Sequence, residues 1–221
     1  MPLQSGNPIF NLTICTITEN FRGFSYGFRP GRSQHNALDA IYIAVIQKKV
    51  SWIMDADIQG FFDNLDHDWL LKLIQHRISD KRILRWVERI LKKGVEEEGG
   101  WSKTTLGTAR GSVISTLYAN IYLHYVLDLW VEQWRKRKAR GEVYIVRYCD
   151  DFVLGFQYRN EGEKFLQDLK LRLQQFGLNL HQGKTRLIKF VRFAISNRKK
   201  RGQRKPETPG WVSNGDPFGI V

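Results

Sequence analysis

Only two of the 221 residues are cysteine, Cys15 and Cys149, which excludes a disulfide framework and a four-thiolate zinc site. So little thiol fits a reducing compartment, and a cytoplasmic location is expected. Every stretch long enough for a spanning helix, about 20 residues, contains a charge, so neither a spanning helix nor a membrane partner is expected. The first residues, Met1–Asn11, lack the basic start and long apolar core of a secretory signal. Acidic residues are outnumbered: 22 Asp and Glu stand against 35 Lys and Arg, a net charge of +13. A positive field of that size favours a polyanion, with nucleic acid the first expectation.

Aromatic residues are plentiful, with 7 Trp, 8 Tyr and 13 Phe, enough to build a core. The most informative stretch is Arg147-Tyr148-Cys149-Asp150-Asp151-Phe152-Val153. Two adjacent carboxylates stand between the β-type runs Val143–Tyr148 and Phe152–Phe156. Like charges about 4 Å apart repel by roughly 4 kcal/mol at an effective dielectric near 20, and a divalent cation is the usual compensation. On its own, Asp-Asp reads equally well as a polar turn. Cys149 has no neighbouring base in sequence and reads as a small filling residue rather than a nucleophile.

Apolar periodicity predicts helices over 36–48, 68–78, 82–93, 113–135 and 161–176. Strands are predicted over 51–58, 143–147, 152–156 and 187–193, and a hairpin over 94–107. From Ser51 onward the order is β-α-β-β-α-β with a helical insertion. The expected fold class is therefore α+β: an antiparallel sheet of the split βαβ type with both crossover helices on one face. In that topology Asp57, at the end of the first strand, lies beside the Asp150–Asp151 hairpin. Three carboxylates on neighbouring strand ends suit two Mg²⁺ ions and phosphoryl-transfer chemistry.

Five segments then appear in a telling order: GFSYGFRPGRSQHNAL (23–38), DADIQGFFDNLDH (55–67), GTARGSVISTLYANIYLH (107–124), RYCDDFV (147–153) and GLNLHQGKTRLIKF (177–190). Over about residues 22–207 the chain resembles bacterial group II intron-encoded reverse transcriptases, also called maturases. The resemblance implies a reverse transcriptase palm and RNA-directed DNA polymerase activity. It further implies two Mg²⁺ ions, an RNA template, a DNA primer, a deoxynucleoside triphosphate (dNTP) and intron RNA as partners. Asp57 matches the first metal-holding acid, Asp150 and Asp151 match the paired acids, and the backbone carbonyl of Ile58 is implied to face a metal. Phe62 matches the bulky residue that crowds a ribose 2′-hydroxyl. Arg110, Gly111 and Ser112 match the loop lining nucleotide and template, and Lys184 the lysine that protonates departing pyrophosphate. Arg29 and Arg32 are implied to contact template or phosphate.

Other polar residues have simpler readings. Asp55, Asp63 and Asp66 read as caps or solvated surface, while His67, His124 and His181 lack metal-ligand spacing. Tyr118, Tyr122 and Tyr125 read as core. The chain departs from the family where Ala109-Arg110-Gly111 replaces Pro-Gln-Gly, Ser115-Thr116 replaces Ser-Pro, and Cys149 replaces Ala. The resemblance divides the chain into an atypical segment 1–21 replacing most of the fingers, a palm with residual fingers over 22–193, and a flexible basic tail over 194–221. That tail carries Arg198, Lys199, Lys200, Arg201, Arg204 and Lys205. The charge alone is also compatible with a non-catalytic RNA-binding remnant.

Overall fold

The structure is a computed structural model, and it describes residues 20–92, 106–108 and 113–190. Helix α1 spans Gln34–Gln47 and begins two residues earlier than the periodicity suggests, because Ser33 and Asn36 form a capping box. The Ser33 hydroxyl accepts from the Asn36 amide at 3.3 Å, and the Ser33 amide donates to the Asn36 side chain at 2.8 Å. Strand β1 follows at Trp52–Ala56. Helix α2, His67–Gln75, is capped by Asp66, which accepts from the Trp69 amide at 2.8 Å as the capping reading expects. Helix α3 covers Lys81–Lys92. Most of the hairpin expected over 94–107 lies outside the described residues.

The helix expected over 113–135 is resolved into three parts. Helix α4, Val113–Leu123, runs into a π-helical turn, His124–Asp128, and continues as α5, Leu129–Lys138. The Leu129 amide reaches back to the His124 carbonyl, so the turn holds one residue more than α-helical winding allows. Strands β2, Val143–Tyr148, and β3, Asp151–Phe156, form a hairpin. Helix α6, Arg159–Gln174, leads to β4, Arg186–Lys189.

The strands lie in the order β2-β3-β1-β4, with every neighbouring pair antiparallel. This is the α+β split arrangement that the element order predicts. Strand alternation sorts the side chains onto two faces. Met54, Ala56, Ile145, Phe152, Leu154 and Phe156 enter the main core. There Phe156 meets Phe165 of α6 at 5.4 Å between rings, and Tyr122 of α4 donates its buried hydroxyl to the Phe176 carbonyl at 2.8 Å. On the opposite face Ile53, Val146 and Val153 line a small cavity with Ile41, Ala44 and Val45 of α1. Helix α1 thus covers the second face, a placement the β-α-β-β-α-β pattern does not specify. It buries Ala37, Ala44 and Val45 and leaves Leu38, Tyr42, Ile43 and Ile46 exposed. Among the described residues, no helix is long and apolar enough to cross a membrane.

Candidate active site

The β2–β3 hairpin closes through Cys149 and Asp150, with Tyr148 paired to Asp151. Cys149 has φ of +59°, the positive-φ geometry that two-residue hairpin loops require and that glycine usually supplies. On β1, Ala56 pairs with Phe152. One residue further along, antiparallel register sets Asp57 opposite Asp151, at a backbone separation of about 5 Å. Asp55 lies two residues back and shares the same face, opposite Val153 on one side and Arg186 on the other. Residues from opposite ends of the fold therefore meet at the end of this face.

The acids share a field. Burial raises the Asp151 carboxyl above the ordinary range, Asp150, Asp57 and Asp55 raise it further, and Lys184 opposes them. Asp55 is raised by burial and by Asp57, against Arg186. Asp55 is exposed, as its reading as a solvated acid expects, and it also contributes to the electrostatics here. Its i, i+2 spacing from Asp57 was the available signal, since alternate strand residues share a face. Lys184 Nζ lies 3.0 Å from Asp57 Oδ2. The Asp57 carbonyl accepts from the His181 amide at 2.8 Å, and the Gln59 amide donates to the Asn179 carbonyl at 2.8 Å. These two bonds flank Ile58, which bridges to Leu180 without bonding to it, so the Ile58 N–H and C=O point away from the 179–181 segment.

The donor set is all oxygen, which suits a hard cation such as Mg²⁺. The neighbouring carboxylates have an excess of negative charge that a cation would relieve. Among the described residues, however, no three metal-ligating side chains converge on one point. The backbone gathers the acids; their side chains are not preassembled around a centre, and Asp57 is engaged with Lys184.

Phe62 is partly buried, its ring edge-on to Phe61 at 5.4 Å. Its carbonyl accepts from the Thr108 amide at 2.8 Å, and the Leu65 carbonyl accepts from Gly107 at 2.9 Å. Gly107 has φ of +87°, and a Cβ there would lie 3.0 Å from the Asp63 carbonyl oxygen, so both conformation and space demand glycine. His67 Nε2 donates to the Gly107 carbonyl at 2.6 Å, a structural role of the kind the sequence suggests. This clasp delivers the chain beside Phe62 just before Ala109. Arg110, Gly111 and Ser112 themselves lie outside the described residues.

Arg29, Arg32 and Cys149 all have local structural roles. The Arg29 guanidinium donates to the Arg22 and Ser25 carbonyls, each at 2.8 Å, and Arg32 donates to the Gly23 carbonyl while standing over the Tyr26 ring. Both arginines fold the 21–32 loop. Cys149 is buried in the turn, and burial pushes its thiol up to about 12, in keeping with a filling residue.

The residue that sequence reasoning missed is Arg147, with 0% exposure. Nε and one Nη hold both oxygens of Asp128 at 2.8 and 2.7 Å, and the remaining donors reach Asn120 at 2.8 Å, Ser25 at 2.8 Å and the Cys149 carbonyl at 2.7 Å. A signal was present: Val143, Ile145 and Arg147 share one inward parity, and a charge at a core position requires a buried partner. Burial would raise the Asp128 carboxyl, but Arg147 and His124 outweigh it and hold the group below the ordinary range.

The reverse transcriptase (RNA-dependent DNA polymerase) family profile matches residues 7–207. The chain is 28% identical over 207 residues to an uncharacterized 91 kDa protein in a cob intron of Schizosaccharomyces pombe, covering 87% of this chain and 25% of that protein. It is 40% identical over 120 residues to the group II intron-encoded protein LtrA of Lactococcus lactis, covering 54% of this chain and 20% of the relative. Among solved structures, apo telomerase from Candida tropicalis superposes with a TM-score of 0.63 at 14% identity, over 82% of this chain and 36% of that one. That similarity concerns the fold. The chain spans a quarter or less of the length of the two curated relatives described.

Proposed function

The chain belongs to the reverse transcriptase family, and from that premise we propose that it is the palm of an RNA-directed DNA polymerase of the group II intron type. The reaction is attack of a primer 3′-hydroxyl on the α-phosphate of a dNTP, directed by an RNA template. The observation that carries this reading is the strand register, whose last pair, Ala56 and Phe152, leaves Asp57 next to Asp151 with Asp150 at the adjoining turn. Asp57, Asp150 and Asp151 would hold two Mg²⁺ ions, with the Ile58 carbonyl turned toward the same side. When bound, such ions acidify the attacking hydroxyl and neutralise charge on the departing pyrophosphate.

The chain's own groups supply positioning. Lys184, whose ammonium lies 3.0 Å from Asp57, would donate a proton to the leaving group. Phe62 stands beside the segment leading to Arg110 and Gly111, which supports a role for all three at the nucleotide, Phe62 crowding the ribose 2′-hydroxyl. Intron RNA is the proposed cognate partner. The test is extension of a DNA primer on an RNA template in Mg²⁺, comparing the wild type with Asp150→Asn. Loss of a metal-holding acid should reduce the rate by several orders of magnitude, and undiminished extension would overturn the assignment. The net charge of +13 also supports a second reading, RNA binding without catalysis. On that reading the wild type binds RNA in a salt-sensitive manner and incorporates no nucleotide.

A further inference from the structure

We propose that Arg147 is the positioning residue of the Asp150–Asp151 turn, fixing the Cys149 backbone in its positive-φ conformation so that both acids face Asp57. This rests on the reading of those acids as the metal-holding group. The turn has two reasons to relax. Cys149 occupies a conformation that residues other than glycine rarely hold, and Asp150 and Asp151 repel one another. Its backbone is gripped from two sides. Arg147 donates to the Cys149 carbonyl at 2.7 Å. Gly27 presses so close that a Cβ there would lie 2.4 Å from the Cys149 nitrogen.

The grip is itself braced. Asn120 accepts from Arg147 and donates to the Gly27 carbonyl at 2.8 Å, closing a ring through Arg147, Asn120, Gly27 and Cys149. The Arg147 amide and carbonyl bond to Phe24 and Tyr26 at 2.9 and 2.8 Å, which lays the 24–27 segment along β2. Asp128 enters from the π-helical turn and takes the guanidinium bidentately. A fully buried ion pair is a poor way to gain stability, because desolvation offsets its attraction. Its use here is geometric: five donors in one rigid plane fix the turn carbonyl relative to three other segments.

The test uses the full chain with both charges of the pair removed, Arg147→Met with Asp128→Leu, so that neither is left buried without the other. The first readout is amide hydrogen exchange at residues 148–152, compared with 53–56 and 154–156 of the same sheet. The expected result is exchange faster by at least about tenfold at the turn alone, with the rest of the sheet unchanged. The second readout is Mn²⁺ binding followed by electron paramagnetic resonance, expected to weaken by about 10- to 100-fold, as for loss of an outer-shell support. Adding Cys149→Gly should restore much of the Mn²⁺ binding, because glycine holds positive φ freely; relief of a purely structural defect would not follow from that change. If the double variant fails to fold, Arg147→Lys keeps the charge beside Asp128 but loses the fork, and the same turn-specific exchange is expected. Unchanged exchange at the turn in a folded variant overturns the proposal. Faster turn exchange in a protein whose wild type neither binds Mn²⁺ nor extends a primer would leave the role of Arg147 standing and remove the polymerase reading.

Discussion

Asp151 sits in a field of its own sign, and that has a measurable cost. Burial, Asp150, Asp57 and Asp55 raise its carboxyl in the folded protein, whereas in the unfolded chain only the adjacent Asp150 stays close. The folded state therefore holds the proton to higher pH. Stability falls as pH rises from the unfolded value through the folded one, and the loss is complete above it. Asp151→Asn should stabilise the metal-free protein at neutral pH, by about 0.5 kcal/mol once solvent screening of an exposed group is allowed for. The gain should fade as pH falls through the raised value. Urea unfolding with and without Mg²⁺ checks this: the wild type should recover the difference when Mg²⁺ is added, since binding to the native state alone stabilises it. Equal stabilities at neutral pH without Mg²⁺ would mean that the carboxylates are too far apart to repel. Asp128 has the opposite sign. Its carboxyl is held low, so its contribution is present above the unfolded value and lost as pH falls through the folded one.

At the scale of elements, local signals placed most helices and strands within a few residues, and the exceptions have identifiable causes. Helix α1 starts early because Ser33 and Asn36 satisfy each other's backbone groups. Ser33→Ala should cost about 1 kcal/mol by losing the cap, read as a lowered urea midpoint with an unchanged slope. A loss below a few tenths would show that packing of Ala37, Ala44 and Val45 holds the helix start without the box. The π-helical turn left no trace in the apolar period, since Leu117, Ile121 and Leu127 already fit an ordinary helix. Asp128, the last residue of that turn, makes the bidentate contact with Arg147, 19 residues along the chain. Tyr118 and Tyr122 are core residues as the periodicity suggests, while Leu38, on the expected stripe of α1, is left exposed.

For the whole molecule, the excess of 13 positive charges predicts electrostatic association with a polyanion. Binding to single-stranded RNA should weaken steeply with salt, with log K falling by about 0.7 per decade of salt for each phosphate neutralised. Fluorescence anisotropy of a labelled RNA across a salt series measures the slope. A flat response would remove the polyanion reading and with it both proposed functions. Composition, strand alternation, helical period and the order of the five segments determined the fold class and singled out the expected partner class and the candidate acids. All of these are properties of local windows or of their order. The placement of α1 on the second face, the register bringing Asp57 opposite Asp151, and the pairing of Arg147 with Asp128 were decided by tertiary structure alone. Each depends on which distant surfaces exclude water together and which buried charges find partners, and that free energy exists only once the segments have met.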